Sequence, residues 1–332
     1  MSYLYVCEQG ACVGIQGNRF QVKYKDGMLK SIPAETLEVI EIFGKVQLTT
    51  QCVTECLKRG VNVIFYSGAY FGRLISTTHV NVQRQRKQAE IGNNETFKLE
   101  FSRKIISAKI RNQMVVLRRY ARRRDVNIDR PMVEMQIMQK KVICANTIEQ
   151  VMGYEGTAAK IYFKMLSLLI DPEFTFSGRS RRPPMDPFNS LISLGYSIIL
   201  NELYGKIEGK GLNPYFGIMH KDREKHPTLA SDLMEEWRAV LIDSTALSML
   251  NGHELLLEDF YSGSDCPGVF LEQEGFKKYI KKLEGKFRTD SRYLSYIEYA
   301  VSFRRALDFQ IAQFVKAIET ENVDEYMPIE IR

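Results

Sequence analysis

Four side chains in this chain have the types and spacing to hold a divalent cation. His220 lies in the loop GLNPYFGIMHKDREKHPT, and shortly afterwards Ser231-Asp232-Leu233-Met234-Glu235-Glu236 opens a helix. Asp232 and Glu235 stand three apart there, so they project from one face. Upstream, Glu155 in MGYEGTAAKIYF offers another carboxylate, and Gly153 and Gly156 leave room beside it for the close approach of another element. Carboxylate oxygens suit Mg²⁺ or Mn²⁺, and an imidazole in the set tilts the choice toward Mn²⁺. A cation so held polarises a phosphate ester and lowers the pKa of an attacking oxygen.

Each residue also has an ordinary reading. A Glu in an amphipathic helix usually faces solvent, and Ser-Asp at a helix start is usually an N-cap with a dipole-compensating acid. No short metal motif of the HExxH kind is present, so spacing alone does not separate the two readings. His220 is the hardest to dismiss, because the chain has only 4 His and this one sits in a Gly/Pro-punctuated loop, with His226 as its rival.

The elements that must position these residues fall into two parts. Residues 1–76 alternate apolar and polar positions in short runs, Tyr3–Val6, Arg19–Tyr24 and Val61–Tyr66, with Gly17-Asn18 and Asp26-Gly27 as turns and one helix near Thr50–Arg59. After Thr77-Thr78-His79 the period changes, and from Val82 to Glu319 nearly every segment reads helical, with loops at Pro172–Pro187, Gly205–Pro214 and Gly263–Gly268. The expected fold is α+β: a small, mostly β N-terminal domain, residues 1–80, followed by a large all-α helical-bundle catalytic domain, residues 81–332. Facing helices of a bundle can share a metal among side chains from separate segments. The acidic tail from Glu319 to Glu330 has no role legible in its sequence, a charged terminus being most often just solvated.

Net charge is +6, unevenly spread: +2 over residues 1–80, +9 over 81–150 and −5 over 151–332. A helix from about Thr96 to Arg123 carries Arg103, Lys104, Lys109, Arg111, Arg118, Arg119 and Arg122 as a basic strip opposite Ile105, Ile106, Val115, Val116 and Leu117. With Arg84 and Arg86 before it, this region suits a phosphate backbone read by charge and shape. Arg181, in Arg179-Ser180-Arg181-Arg182, reaches either DNA or a second subunit. Arg223 and Lys221, just past His220, are placed to hold an attacked phosphate. No GxxxxGK loop is present, which argues against an ATP-driven reaction.

Cys7, Cys12, Cys52, Cys56, Cys144 and Cys266 form no CxxC pair, which points to reduced, mostly buried thiols in a cytoplasmic protein. No apolar run approaches the roughly 18 residues of a membrane span, and no signal segment opens the chain.

The strings YEGTAAKIYF, RSRRPPMDPFNSLISLGYSIIL, GLNPYFGIMH and SDLMEEWR resemble, in order and approximate spacing over essentially the whole chain, the CRISPR-associated integrases of spacer acquisition, the family of CRISPR-associated protein one. The resemblance implies a metal-dependent DNA endonuclease and integrase using Mg²⁺ or Mn²⁺. Its reaction would insert short foreign duplex DNA into a CRISPR array by 3′-hydroxyl attack on a phosphodiester, in antiviral defence. It implies Glu155 and His220 as metal ligands, Asp232 and Glu235 as the closing carboxylates, and Asn189 and Tyr196 on the helical segment flanking the site. It also implies a homodimer, which we place on the N-terminal domain, and CRISPR-associated protein two as partner. Many relatives carry Asp at the last ligand position. Here Glu235 and Glu236 adjoin, and the three-residue step from Asp232 favours Glu235, with Glu236 left open. A metal nuclease cleaving branched DNA without joining, and a non-catalytic DNA-binding scaffold, are the competing readings. Strand joining separates the first, and metal-dependent activity lost on Glu155→Ala or His220→Ala separates the second.

Overall fold

The structure, a computed structural model, describes residues 2–67, 69–74, 76, 80–262, 267–294 and 296–331. Thr77-Thr78-His79, Cys266 and most of the loop expected at Gly263–Gly268 lie outside the described residues. The chain divides into two compact units, Met1–Val80 and Asn81–Arg332.

The first unit is built from β1 (Ser2–Val6), β2 (Cys12–Gln16), β3 (Arg19–Lys23), β4 (Leu29–Pro33), β5 (Leu37–Phe43), β6 (Gln47–Leu48), α1 (Thr50–Arg59), β7 (Asn62–Ser67) and β8 (Ala69–Leu74). One sheet runs β1-β5-β7-β8, with β1, β5 and β7 parallel; the other runs β4-β3-β2-β6. The β2–β3 hairpin turns on Gly17 and Asn18, whose φ values of 56 and 58 are the paired positive angles a two-residue turn of this hand requires. Thr49 caps α1, accepting from the Cys52 N–H, and Gly60 ends it in the left-handed region. The core gathers Val6, Val13, Phe20, Ile40 and Val63 around Cys52 and Cys56. These are the buried thiols among the described cysteines; Cys7 and Cys12 are half-buried and Cys144 is exposed, so the thiols are not mostly buried.

The second unit comprises α2 (Val82–Ile91), α3 (Glu95–Arg124), α4 (Asp129–Ile143), α5 (Ile148–Leu169), α6 (Pro187–Gly209), α7 (Thr228–Met234), α8 (Ser244–Asn251), α9 (Gln273–Arg288) and α10 (Phe303–Thr320). Two short ribbons, β9 (Phe260–Ser262) with β10 (Val269–Leu271) and β11 (Asp290–Ser291) with β12 (Val301–Ser302), interrupt a region in which nearly every segment reads helical in the sequence. Asn94 caps α3, and Asp125 ends it in the left-handed region. Its buried stripe is Ile105, Lys109, Asn112, Val116 and Tyr120, so Lys109 does not belong to the exposed basic strip. α6 is apolar on most of its surface and runs to Gly209, into the segment expected to be loop. A Cβ at Gly195 would meet Tyr279 Oη at 2.4 Å and Ile242 Cγ2 at 2.5 Å, so glycine there lets α6 press against its neighbours.

The acidic tail docks through its apolar residues, while Glu319, Glu321 and Asp324 stay exposed. Tyr326, Ile329 and Ile331 are buried. Tyr326 Oη and the Ile329 N–H both donate to the Glu236 carboxylate, and Asn112 ties the tail down by donating to the Ile329 carbonyl and accepting from the Ile331 N–H.

Candidate functional site

Glu155 on α5 and Glu235, at the C-terminal end of α7, face each other across Lys109 of α3. The Lys109 ammonium pairs with Glu155 Oε1 and lies 2.6 Å from Glu235 Oε2. Glu235 Oε1 is 3.0 Å from the Arg238 guanidinium. Burial by itself would raise the Glu235 carboxyl, but Arg238 and Lys109 outweigh it and hold it down to about 2. Burial likewise pulls the Lys109 ammonium down, and Glu235 and Glu155 more than reverse that. Glu236 turns the other way, to Tyr326, Gln310 and the tail, so of the adjoining pair only Glu235 faces Glu155. Nothing lies within 4 Å of a Cβ placed on Gly153 or Gly156: the glycines beside Glu155 border open space, not the close element their spacing suggests.

His220 is set by Asp232. The loop from Ile218 to His220 wraps around that fully buried carboxylate, whose Oδ2 accepts from the Ile218 and Met219 N–H groups at 2.8 and 2.9 Å. Its Oδ1 accepts from the His220 N–H at 3.2 Å and meets the His220 ring at Nδ1, 2.6 Å away. Successive backbone N–H groups around one anion form a nest. The tight wrap needs Gly217, where a Cβ would meet Thr228 Cγ2 at 2.3 Å and the His220 carbonyl at 2.9 Å. Gln88 pins the loop from α2, bonding the Asn213 N–H and carbonyl. A carboxylate only accepts, so Nδ1 carries a proton, and in the neutral ring Nε2 keeps its lone pair. Nε2 has no hydrogen bond among the described residues. The hydrogen bond to Asp232 raises the imidazole's pKa against the opposing effect of burial. Asp232, a possible further metal ligand on the sequence, has both oxygens engaged in holding this loop and orienting the histidine. The rival His226 bonds Ser231 Oγ through Nε2, at 2.9 Å.

Behind Glu235, the Arg238 guanidinium lies 4.7 Å from the centre of the Tyr196 ring. Tyr196 Oη donates to Asp243 Oδ1 at 2.5 Å, and Tyr162 Oη donates to Oδ2 at 2.9 Å. Asp186 caps α6 by accepting from the Asn189 N–H, and Asn189 Oδ1 accepts from Arg179, which also lies over Tyr196. Asn189 and Tyr196 therefore support Arg238 and do not face the carboxylates directly. Burial pushes the Asp243 carboxyl from its ordinary 3.8 up to about 6, against the two hydroxyl donors and Arg238. Between about pH 4 and 6 the folded chain thus keeps a proton that the unfolded chain has lost. Stability from this group is full below pH 4 and falls as pH rises through 6, by roughly 3 kcal/mol. Asp243→Asn, which cannot ionise, is expected to gain on the wild type by that order between pH 4 and 7 in paired urea titrations. A pH-independent difference would show that Asp243 ionises as readily folded as unfolded.

As they stand, no three His, Cys, Asp or Glu among the described residues enclose a metal ion. The Lys109 ammonium fills the space between the two carboxylates, as a stand-in for another cation. Glu235 Oε2 meets it at 2.6 Å without the angles of a hydrogen bond, a contact of charge on charge. Two carboxylates and an imidazole with a free Nε2 fit Mg²⁺ or Mn²⁺ chemically, provided Lys109 withdraws. His220 and Lys221 also wall a cleft of about 1030 Å³ that runs past Glu149, Lys98 and Arg103.

The expected DNA-binding cations divide. Arg84 is held by Glu319 and the Lys210 carbonyl, Arg103 by the Ala145 carbonyl, and Arg111 by Glu330. Arg86, Arg118, Arg119, Arg122, Arg181 and Arg223 are exposed, as is Lys221. Lys109 and Arg238 stand outside the site residues that the sequence suggests. The available signal for Lys109 was its place four residues after Ile105 and seven before Val116, on the apolar stripe.

A family model described as "CRISPR associated protein Cas1" matches residues 4–285. The chain is 34% identical to the CRISPR-associated endonuclease Cas1 of Mycobacterium tuberculosis (strain ATCC 25618 / H37Rv) over 334 residues, covering 100% of this chain and 98% of that protein. It is 34% identical to CRISPR-associated endonuclease Cas1 3 of Thermus thermophilus over 287 residues, 85% of this chain and 84% of that protein. Among solved structures, a CAS1 protein from Thermotoga maritima superposes with a TM-score of 0.81 at 23% identity, over 100% of both chains. A casposase bound to integration product gives 0.85 at 19% identity, over 97% of this chain and 92% of that one. A chain of a Cas6-RT-Cas1–Cas2 complex gives 0.85 at 24%, over 100% of this chain and 36% of that one. At these identities the structural likeness is one of fold.

Proposed function

The chain belongs to the Cas1 family, and from that premise we propose that it is a metal-dependent integrase of CRISPR adaptation, joining short duplex DNA to a CRISPR array. The observation that carries the reading is the cation held between Glu155 and Glu235 beside a histidine whose Nε2 is free. In this reading Glu155, His220 and Glu235 hold Mg²⁺ or Mn²⁺. A divalent ion there would polarise the scissile phosphate and ease deprotonation of the attacking hydroxyl.

The chain's own residues do the rest. Asp232 fixes the imidazole so that Nε2 stays an acceptor. Arg238 remains beside Glu235, braced by Tyr196. Lys221 and Arg223, exposed on the loop after His220, engage the attacked phosphate, while Arg86, Arg118, Arg122 and Arg181 engage the duplex through charge. The incoming 3′ oxygen forms one P–O bond and loses its proton. The target strand's own 3′ oxygen leaves phosphorus and gains one. One phosphodiester replaces another, so no nucleotide hydrolysis is needed.

Relatives named endonucleases, a casposase of the same fold captured with integration product, and a complex joining Cas1 with Cas2 support DNA and Cas2 as partners here. We assign homodimerisation to the first unit, where Met28 and Leu29 are exposed at the edge strand β4. No described helix is long and apolar enough to cross a membrane, and the reading places the chain in the cytoplasm.

The test is an integration assay with and without Cas2: a short duplex with free 3′-hydroxyl ends, a supercoiled plasmid carrying a CRISPR repeat, and Mn²⁺ or Mg²⁺. Joining that vanishes with EDTA and falls about 10²- to 10³-fold in His220→Ala, the loss of several kcal/mol of transition-state stabilisation, is the expected result. Metal-dependent nicking without joining would leave a nuclease, and DNA binding with neither would leave a scaffold.

A further inference from the structure

Where the C-terminal end of α3 meets α8 and α9, a second cavity of about 630 Å³ opens. It shares no lining residue with the candidate metal centre. Its lining carries two arginines from α3 and four lysines from α9 against one carboxylate, Glu254. Glu254 is taken by Lys282, at 2.6 Å, and Lys278 is taken by Asp259, at 2.9 Å. Lys281 and Lys286 have no acid within ion-pair distance among the described residues. Lys286 is half-buried, 5.1 Å from the centre of the Phe303 ring, and Arg123 stands over Tyr120 at 5.7 Å. Burial, with Arg119 as a second contributor, pulls the Lys286 ammonium below the usual lysine range. A desolvated ammonium without a counter-ion, beside further cations in a concave low-dielectric wall, focuses positive potential into the cavity. An anion seated there relieves that cost. The size is that of a nucleotide-sized group. The hydroxyls of Ser244 and Thr245 already donate to backbone carbonyls, so recognition falls to the cations.

We propose that this cavity is a phosphate-ester site, in which Arg123, Lys281 and Lys286, with Arg119 at the rim, take a phosphate group of nucleic acid or of a free nucleotide. The basic residues of α9 are hidden in the regional net charge, because residues 151–332 are acidic on balance; folding brings them against the arginines that close α3.

The proposal is tested in EDTA, with no strand transfer, so its outcome does not depend on the metal-site reading. Duplex affinity is measured by anisotropy at several salt concentrations for the wild type, Lys281→Ala/Lys286→Ala and Lys281→Arg/Lys286→Arg, and ADP binding is measured by calorimetry. If the ester is DNA backbone, the alanine pair weakens duplex binding about tenfold or more and makes the salt slope shallower by roughly 0.9 for each phosphate no longer neutralised, while the arginine pair binds like the wild type. If the ester is a free nucleotide, ADP binds the wild type and the arginine pair but not the alanine pair, and duplex affinity is unchanged. Unchanged duplex affinity and slope together with no ADP binding overturn the proposal. Melting temperature separates a structural role: the alanine pair should melt no lower than the wild type, since it removes a desolvated charge. If it melts lower, the arginine pair decides, and weak binding by a stable arginine pair likewise overturns the proposal.

Discussion

Lys109→Met is expected to lower the stability of the metal-free chain by about 3–5 kcal/mol. Removing one partner of a buried ion pair leaves its counter-charge short of compensation, and here Glu155 would lose its ammonium and face Glu235, which would keep only Arg238. For a chain of this size the melting temperature should fall by on the order of 10 °C. Mn²⁺ should then restore the variant more than it stabilises the wild type, because in the wild type the ion must displace an ammonium already in place. At a hundredfold excess over Kd a bound ion contributes about 2.7 kcal/mol. Paired thermal melts with and without Mn²⁺ check both halves. A metal-free variant as stable as the wild type would show that the ammonium is not what holds the carboxylates apart. A variant that Mn²⁺ does not stabilise would remove these residues from consideration as a metal centre.

Asp232→Asn should be nearly as damaging, and in two ways at once. The carboxylate accepts from three consecutive backbone N–H groups and meets the His220 ring. An amide in its place turns one acceptor into a donor aimed at other donors and removes the charge. Hydrogen bonds to charged groups contribute about 1.5–3 kcal/mol each, so a loss of roughly 3 kcal/mol is expected, well above the about 1 kcal/mol of a helix cap. Metal affinity should fall 10- to 100-fold as the imidazole loses its orienting partner. Urea denaturation and Mn²⁺ calorimetry on the same preparation test both. A stability loss of 1 kcal/mol or less would make Asp232 a cap and nothing more.

Local pattern carried much of the fold. The expected helix at Thr96–Arg123 is α3 at Glu95–Arg124, and the helix amid the strands, the Gly17-Asn18 turn and the helical second part were all legible. The parallel pairing of β1 with β5 and β7 was not, because it joins segments far apart in sequence through contacts that no local periodicity encodes. In the site, Glu235 and not Glu236 is the one that faces Glu155, the side the step from Asp232 favours, while Asp232 itself holds the His220 loop. A carboxylate that wraps a loop and one that binds a metal leave the same letter in the sequence. Lys109 was hidden among the basic residues of one long helix, although its position between Ile105 and Val116 placed it on the buried side. The role of the tail was not legible from its charge. Tyr326, Ile329 and Ile331 are spaced through the acids, and those apolar residues were the signal for docking.

That docking also sets an order of events. Glu236, the immediate neighbour of Glu235, is buried and receives donors from Tyr326 and Ile329, the latter 93 residues further along. On a ribosome the chain emerges from its N-terminus, so α3, α5 and α7 are all made before the segment that ties down the end of α7. Until residues 326–331 arrive, the carboxylate next to Glu235 has Gln310 but lacks the donors of the tail. If Glu235 serves the metal site proposed above, the unfinished chain does not yet hold that site's full geometry.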